Sequence, residues 1–189
     1  DEVQTGFGRV GNAFFSFEEH NVVPDIVTLG KPMGNGHPIA AVITSEKIAS
    51  VFNNGMEYFN SFGGNPVSCA VGKAVLEVIE KEKLQQNALD TGKYFLKKLQ
   101  HIKNKNKKYI SEVRGRGLFL GIDIIHANNT LRPNKQLAKK IINFMREKGI
   151  LLSTDGPYDN VIKIKPPLLF NKDNVDNVCK NLEIFFKKI

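Results

Sequence analysis

Apolar positions along the chain fall first into short clipped runs and later into helical periods. Residues 1–45 alternate such runs with glycine- and proline-rich turns. Within VPDIVTLGKPMGNGHP the run Ile26 to Leu29 is short and continuous, a glycine-rich turn follows, and a second run, IAAVIT, comes next. The spacing predicts strand, loop and strand. In PVSCAVGKAVLEVIE, residues 66–80, the apolar residues Val67, Ala70, Val71, Ala74, Val75, Val78 and Ile79 recur at helical spacing. Pro66 suits a first helical turn, where its missing N–H costs nothing. A second amphipathic helix is predicted from about Lys83 to Ile102.

The pattern then changes. ISEVRGRGLFLGIDII predicts two strands joined around Gly115 and Gly117, and residues 134–148 predict a helix stopped by Gly149. ILLS and NVIKIK read as short strands. Residues 172–188 read as a last helix, with Asp173 in its first turn and Lys187–Lys188 in its last, the signs that suit the helix dipole. The change of pattern places a domain boundary within residues 80–105. Residues 1–90 then form the end of a larger α/β domain, and residues 91–189 a small α+β domain. No internal repeat or low-complexity segment interrupts this order.

Composition narrows the classes. Of 189 residues 41% are hydrophobic and 24% charged, enough for a buried core and ordinary for a globular chain. The net charge of +8 would suit an anionic partner. The densest basic run, Lys97, Lys98, Lys103, Lys105, Lys107 and Lys108, is interleaved with Asn and carries no motif, so it reads as a solvated helix end rather than a nucleic-acid surface. Cys69 and Cys179 stand far apart, with no metal-ligand spacing and no disulfide framework, and a reducing compartment is the default. No apolar run reaches 18 residues, so no membrane span is predicted. The chain opens at Asp1 rather than Met and is expected to be a piece of a longer protein.

Three stretches carry candidate chemistry. GFGRVG fits G-x-G-x-x-G at Gly6, Gly8 and Gly11, but a dinucleotide site needs a strand before it and a helix opening at the third glycine. The aromatic-rich stretch after Asn12 does not supply that helix, so the glycines are read as turn residues. Lys31 lies in a glycine-rich turn directly after an apolar strand, where partial desolvation lowers an amine's pKa and makes it a nucleophile for aldehydes. Ser61 stands two residues before Gly63–Gly64 at the mouth of a predicted helix, an arrangement that suits an anion such as phosphate or a simple cap.

Taken in order, DEVQTGFGRVG, PDIVTLGKPMGNGHPIAAV, FNSFGGNPVSCAVG, VRGRGLFLGIDI and IKIKPPL resemble the class III pyridoxal-phosphate aminotransferases of fold type I. GMEYFN, LLSTDGP and VIKIKPPL look most like their phospho-lyase branch, the alanine–glyoxylate aminotransferase 2-like group that includes ethanolamine-phosphate phospho-lyase. The resemblance implies an α/β fold of type I, with residues 1–90 as the last part of the cofactor-binding large domain and 91–189 as the small C-terminal domain. It implies pyridoxal phosphate as cofactor, a small-molecule amine as substrate and a homodimer, with neither nucleic acid nor membrane as partner and no metal. Lys31 matches the lysine that holds the cofactor as a Schiff base and moves the proton at the reacting carbon. Asp1 matches the carboxylate that pairs with the protonated pyridine nitrogen. Val3 matches the apolar side chain against one ring face, and Gln4 the residue near the phenolic oxygen. Ser61 matches a position, usually Thr, that reaches the phosphate of the neighbouring subunit's cofactor.

Lys163 departs from the family pattern. Aminotransferases commonly carry Arg there, clamping the substrate α-carboxylate through two parallel hydrogen bonds. Lysine supplies a point charge without that fork. The change fits a phosphorylated amine that lacks an α-carboxylate. Arg114 and Arg116 are expected to be structural or to steer anions. The expected activity is phosphate elimination giving an aldehyde and ammonia; the alternatives are amino transfer between an amino acid and an oxo acid, or a non-catalytic remnant. The family's N-terminal half is not in this sequence, so residues 1–189 alone are expected to show no useful turnover. The compartment is expected to be mitochondrial or cytoplasmic.

Overall fold

The structure is a computed structural model and describes residues 1–127 and 131–189. The chain divides into two compact units, Asp1–Gln86 and Asn87–Ile189.

The first unit is built on turns. Gly6 N donates to Glu2 O, Gly8 N to Phe14 O and Gly11 N to Gly8 O. Gly8 and Gly11 sit at φ 76° and 84°, where a side chain would strain the backbone. The G-x-G-x-x-G stretch is therefore a folded turn, with no strand before it and no helix at its third glycine. Phe7, Phe14, Phe15 and Phe17 pack ring against ring beside it, with centroids 4.9 to 6.1 Å apart. Strand β1 (Ile26–Leu29) pairs antiparallel with β2 (Ala41–Thr44), Leu29 facing Ala41. The second strand starts two residues later than the apolar run. Ile39 is held back by packing: a Cβ on Gly34 would stand 2.7 Å from its side chain and one on Gly72 3.5 Å.

A helix not predicted from the sequence, α1 (Glu46–Phe52), follows β2; its apolar residues Ile48, Val51 and Phe52 span barely one turn, too short a period to read, and none of its residues is buried. Helix α2 (Pro66–Lys81) starts as expected. Asn65 caps it, its side-chain oxygen accepting from Val67 N and Ser68 N, and Pro66 occupies the first turn. Its apolar stripe is not covered by this chain: Gly72 and Ile79 are buried, whereas Val67, Leu76 and Val78 are exposed.

The second unit closes its own core. It contains most of α3 (Leu84–Lys105), then β3 (Ile110–Arg116), β4 (Phe119–Ile124), α4 (Lys135–Glu147), β5 (Ser153–Asp155), β6 (Val161–Ile164) and α5 (Lys172–Phe186). The strands form one antiparallel sheet in the order β3-β4-β6-β5. Leu120, Ile122 and Ile124 alternate inward along β4 and meet Phe95, Ile141 and Leu182 of the helices. Gly115 permits the β3–β4 hairpin, since at φ 135° an added Cβ would stand 2.2 Å from Phe119 O. Gly92 lets α3 lie directly on that hairpin, 2.2 Å separating its virtual Cβ from Gly117 O.

Gly149, at φ 74°, ends α4 as expected. Its N–H donates to Arg146 O and the Ile150 N–H to Met145 O, the paired bonds of a Schellman cap. That cap delays the next strand. Ile150 is tied back to the helix, so β5 begins only at Ser153, the last residue of ILLS. Lys187 is the C-cap of α5, and Lys188 lies past its end rather than in its last turn.

Candidate cofactor site

Lys31 follows β1 at the point where the chain leaves the strand. Its own φ is 24°, a positive value that non-glycine residues avoid at a cost of about 1–3 kcal/mol. The loop after it is tightly cross-tied: Met33 N donates to Gly30 O, Asn35 N to Pro32 O and His37 N to Gly34 O. Gly34 is obligatory there, because a Cβ would stand 2.1 Å from His37 O. Helix α2 packs on the loop, with Gly72 opposite Ile39 and Met33 O, and the His37 ring nitrogen Nε2 shares a 2.8 Å hydrogen bond with Ser68 Oγ. The Lys31 side chain remains exposed on this fixed frame.

The first residues of the chain come to the same place. Glu2 N donates to Thr28 O of β1 at 2.9 Å. The Val3 methyls lie 3.4 and 3.7 Å from where a Cβ on Gly30 would stand. Asp1 Oδ1 accepts from Val3 N at 2.9 Å. Asp1 is exposed, Val3 and Gln4 are half-buried. Asp1 and Val3 are thus tied to the end of β1 that delivers Lys31, although 30 positions separate Asp1 from Lys31 in sequence.

Ser61 lies in the exposed segment between α1 and α2, among the exposed side chains of Met56, Tyr58, Phe59 and Phe62. Lys163 lies in the second unit, on the face of β6 opposite the core. Its ammonium is ion-paired with Asp155 of the neighbouring strand β5. The Lys163 hydrogen bond, reinforced by the Gly156 N–H, holds the Asp155 carboxyl below the usual carboxylate range. Lys163 is therefore a paired strand residue. Arg114 is committed too, bonding Glu112 and Asp123 on the same sheet. In the basic run, Lys98 pairs with Asp176 and Lys105 with Glu183, and Lys108 sits over the ring of Tyr109. Burial pushes the Cys179 thiol up to about 12, so it is inert at neutral pH.

Two features escape the sequence pattern. Glu2 is buried and bonded to residues 14 and 15 positions away, and Asp155 meets Lys163 across a strand pair. Only the folded turn and the sheet register bring these groups together.

An exposed amine on a strained turn, with a carboxylate and an apolar side chain tied beside it, suits an aldehyde-bearing ring with a basic nitrogen. The donor set fits pyridoxal phosphate: amine for the aldehyde, carboxylate for the ring nitrogen, valine for a ring face.

Comparison with known proteins gives this chemistry its family. The family profile described as aminotransferase class-III matches residues 1–186. The chain is 51% identical to alanine–glyoxylate aminotransferase 2-like of Drosophila melanogaster, over 93% of this chain and 36% of that protein. It is 44% identical to ethanolamine-phosphate phospho-lyase homolog 1 of Caenorhabditis elegans, over 93% of this chain and 38% of that protein. Among solved structures, a phospholyase from Arthrobacter in complex with phosphoethanolamine matches all of this chain and 44% of its own, with a TM-score of 0.96 and 45% identity. The chain belongs to the class III aminotransferase family, and its mixed α/β fold is that of the type I pyridoxal-phosphate enzymes. It spans less than half the length of these relatives.

Proposed function

We propose that this chain is the lysine-bearing part of a longer pyridoxal-phosphate enzyme that eliminates phosphate from a phosphorylated amine such as phosphoethanolamine. The observation that carries the reading is the match to the Arthrobacter phospholyase over the whole chain, at 45% identity against 30% for an aminotransferase from Bacillus anthracis. Lys163 supports it, because a strand lysine offers a phosphate a point charge where a carboxylate clamp would call for Arg.

When bound, the cofactor supplies an electron sink at the substrate's amine carbon. Lys31 holds the cofactor and takes the proton from the carbon bearing the amine. Asp1 would pair with the ring nitrogen and keep it protonated, and Val3 would pack against a ring face. Gln4 would lie near the phenolic oxygen. Ser61 donates to the cofactor phosphate of a neighbouring subunit, which makes the working form a homodimer. Lys163 receives the substrate phosphate. The carbon–oxygen bond to phosphate then breaks with its electron pair leaving on phosphate, a proton is returned to the carbon that carried the phosphate, and one water hydrolyses the product to an aldehyde and ammonia.

Amino transfer is the second reading, favoured by the aminotransferase names of the relatives in Drosophila melanogaster and Arabidopsis thaliana. Relatives described as mitochondrial are among the matches, and a mitochondrial or cytoplasmic site is proposed for this enzyme. The longer enzyme, given phosphoethanolamine, is expected to release phosphate and ammonia in equal amounts without an oxo acid. Amino-group transfer to an oxo acid with no phosphate released would select the second reading.

A further inference from the structure

Glu2 is the most completely engaged carboxylate in the first unit. It is 2% exposed. Oε1 accepts from Ser16 Oγ at 2.6 Å and from Phe17 N at 2.9 Å. Oε2 accepts from Thr5 Oγ1 and from Ser16 N, both at 3.0 Å. Its backbone is fixed as well, with Glu2 N on Thr28 O and Glu2 O receiving Gly6 N. The turn closes so tightly that a Cβ on Gly6 would stand 2.9 Å from Glu2 O. The Glu2 side chain therefore joins the turn at Thr5 to the segment at Ser16–Phe17, while its backbone ties the same residue to β1.

The residues on either side of Glu2 are two of those that meet the cofactor in the proposed function. Asp1 and Val3 emerge from the turn while Glu2 points inward, and Val3 lies against Gly30, next to Lys31. A buried carboxylate without partners would be costly, but four donors convergent on it make it a rigid pin. Burial pushes its pKa up, yet the bonds from Ser16, Phe17 and Thr5 outweigh that and hold the carboxyl below its ordinary value. Glu2 stays ionised at neutral pH, and removing its charge would strand buried N–H donors.

We propose that Glu2 is the positioning residue of the cofactor site, pinning the turn so that Asp1 and Val3 stand at the exit of β1 where Lys31 emerges. This rests on the proposed function, since it takes Asp1 and Val3 as cofactor contacts.

The test is a double-mutant cycle in the longer holoenzyme, with Glu2→Gln, Asp1→Asn and the pair. Glu2→Gln keeps the shape but places an amide N–H₂ against existing donors. It is expected to weaken cofactor binding and lower kcat by about 10- to 100-fold with KM little changed. In the apoenzyme it is expected to speed hydrogen exchange at the Val3 amide. The pair is expected to lose less than the product of the two single losses, because part of the Glu2 effect runs through Asp1. Should Glu2→Gln fail to fold, Ser16→Ala removes the 2.6 Å bond and keeps the charge, and its smaller loss should likewise shrink in the Asp1→Asn background. Independent, multiplying losses, or a Glu2→Gln enzyme with unchanged cofactor affinity and exchange, would overturn the proposal. A parent enzyme without a Lys31-dependent absorbance band would instead overturn the function on which it rests.

Discussion

The two units of this chain solve the problem of apolar surface in opposite ways. The second gathers Phe95, Leu99, Ile122, Ile141, Met145 and Leu182, all fully buried, between a sheet and three helices. The first buries Phe7, Val27 and Leu29 but leaves Val51, Phe52, Met56, Tyr58, Phe59 and Phe62 more than 60% exposed. Charge divides along the same line, with six Lys and Arg against ten Asp and Glu in residues 1–86, and 21 against nine in residues 87–189. Lys31, Asp1, Val3, Gln4 and Ser61 all belong to the thinly packed acidic unit. The contrast teaches that order at the candidate site comes from hydrogen-bonded turns and obligatory glycines, whereas order in the second unit comes from apolar burial.

Substitutions sharpen that contrast. Ile141→Ala, which opens a cavity in the closed core, is expected to cost about 2–5 kcal/mol in denaturant unfolding. A loss within about 0.5 kcal/mol would mean that the second unit is not held by this core. Lys163→Met is expected to raise KM for phosphoethanolamine about 10- to 100-fold, the size of a lost charged hydrogen bond, with kcat far less affected. An unchanged KM would remove Lys163 from substrate binding and leave it as the partner of Asp155. Asn134→Ala deletes the side-chain cap on Leu137 N at the start of α4 and is expected to cost about 1 kcal/mol. Phe62→Ala in the exposed segment of the first unit is expected to change the stability of this chain by less than about 0.5 kcal/mol. A larger loss would show that this segment is packed after all.

Acid separates the units in another way. Because the folded Glu2 pKa is lowered, its contribution is fully present above the ordinary carboxylate value of 4.5 and is lost as pH falls through the lower folded value. Acid titration followed by amide exchange should therefore release Ser16 and Phe17 within that window, while Ile141 of the apolar core stays protected. Simultaneous release would argue against a separate polar pin in the first unit.

Much of the fold is legible in the sequence because its signals are local. Ile26–Leu29 is bounded by Asp25 and Gly30, α2 is announced by Pro66, and Gly149 marks the end of α4. The later start of β5 is not legible, because it depends on Ile150 bonding back to Met145. Helix α1 is missed because its seven residues hold only one repeat of the helical spacing, at Ile48, Val51 and Phe52. Lys31, Asp1, Val3, Gln4, Ser61 and Lys163 are legible only through family motifs, since each alone is an ordinary surface or turn residue. Glu2 and Asp155 stay hidden because their partners are set by turn closure and strand register.

The central claim is that Lys31 captures pyridoxal phosphate beside Asp1. The most direct measurement is the absorbance spectrum of the longer enzyme on adding the cofactor, with and without Lys31→Ala. The expected result is a long-wavelength band that forms in the parent, is bleached by borohydride as the cofactor becomes covalently fixed to Lys31, and is missing from the variant. A band of equal strength in the variant, or none in either protein, would contradict it.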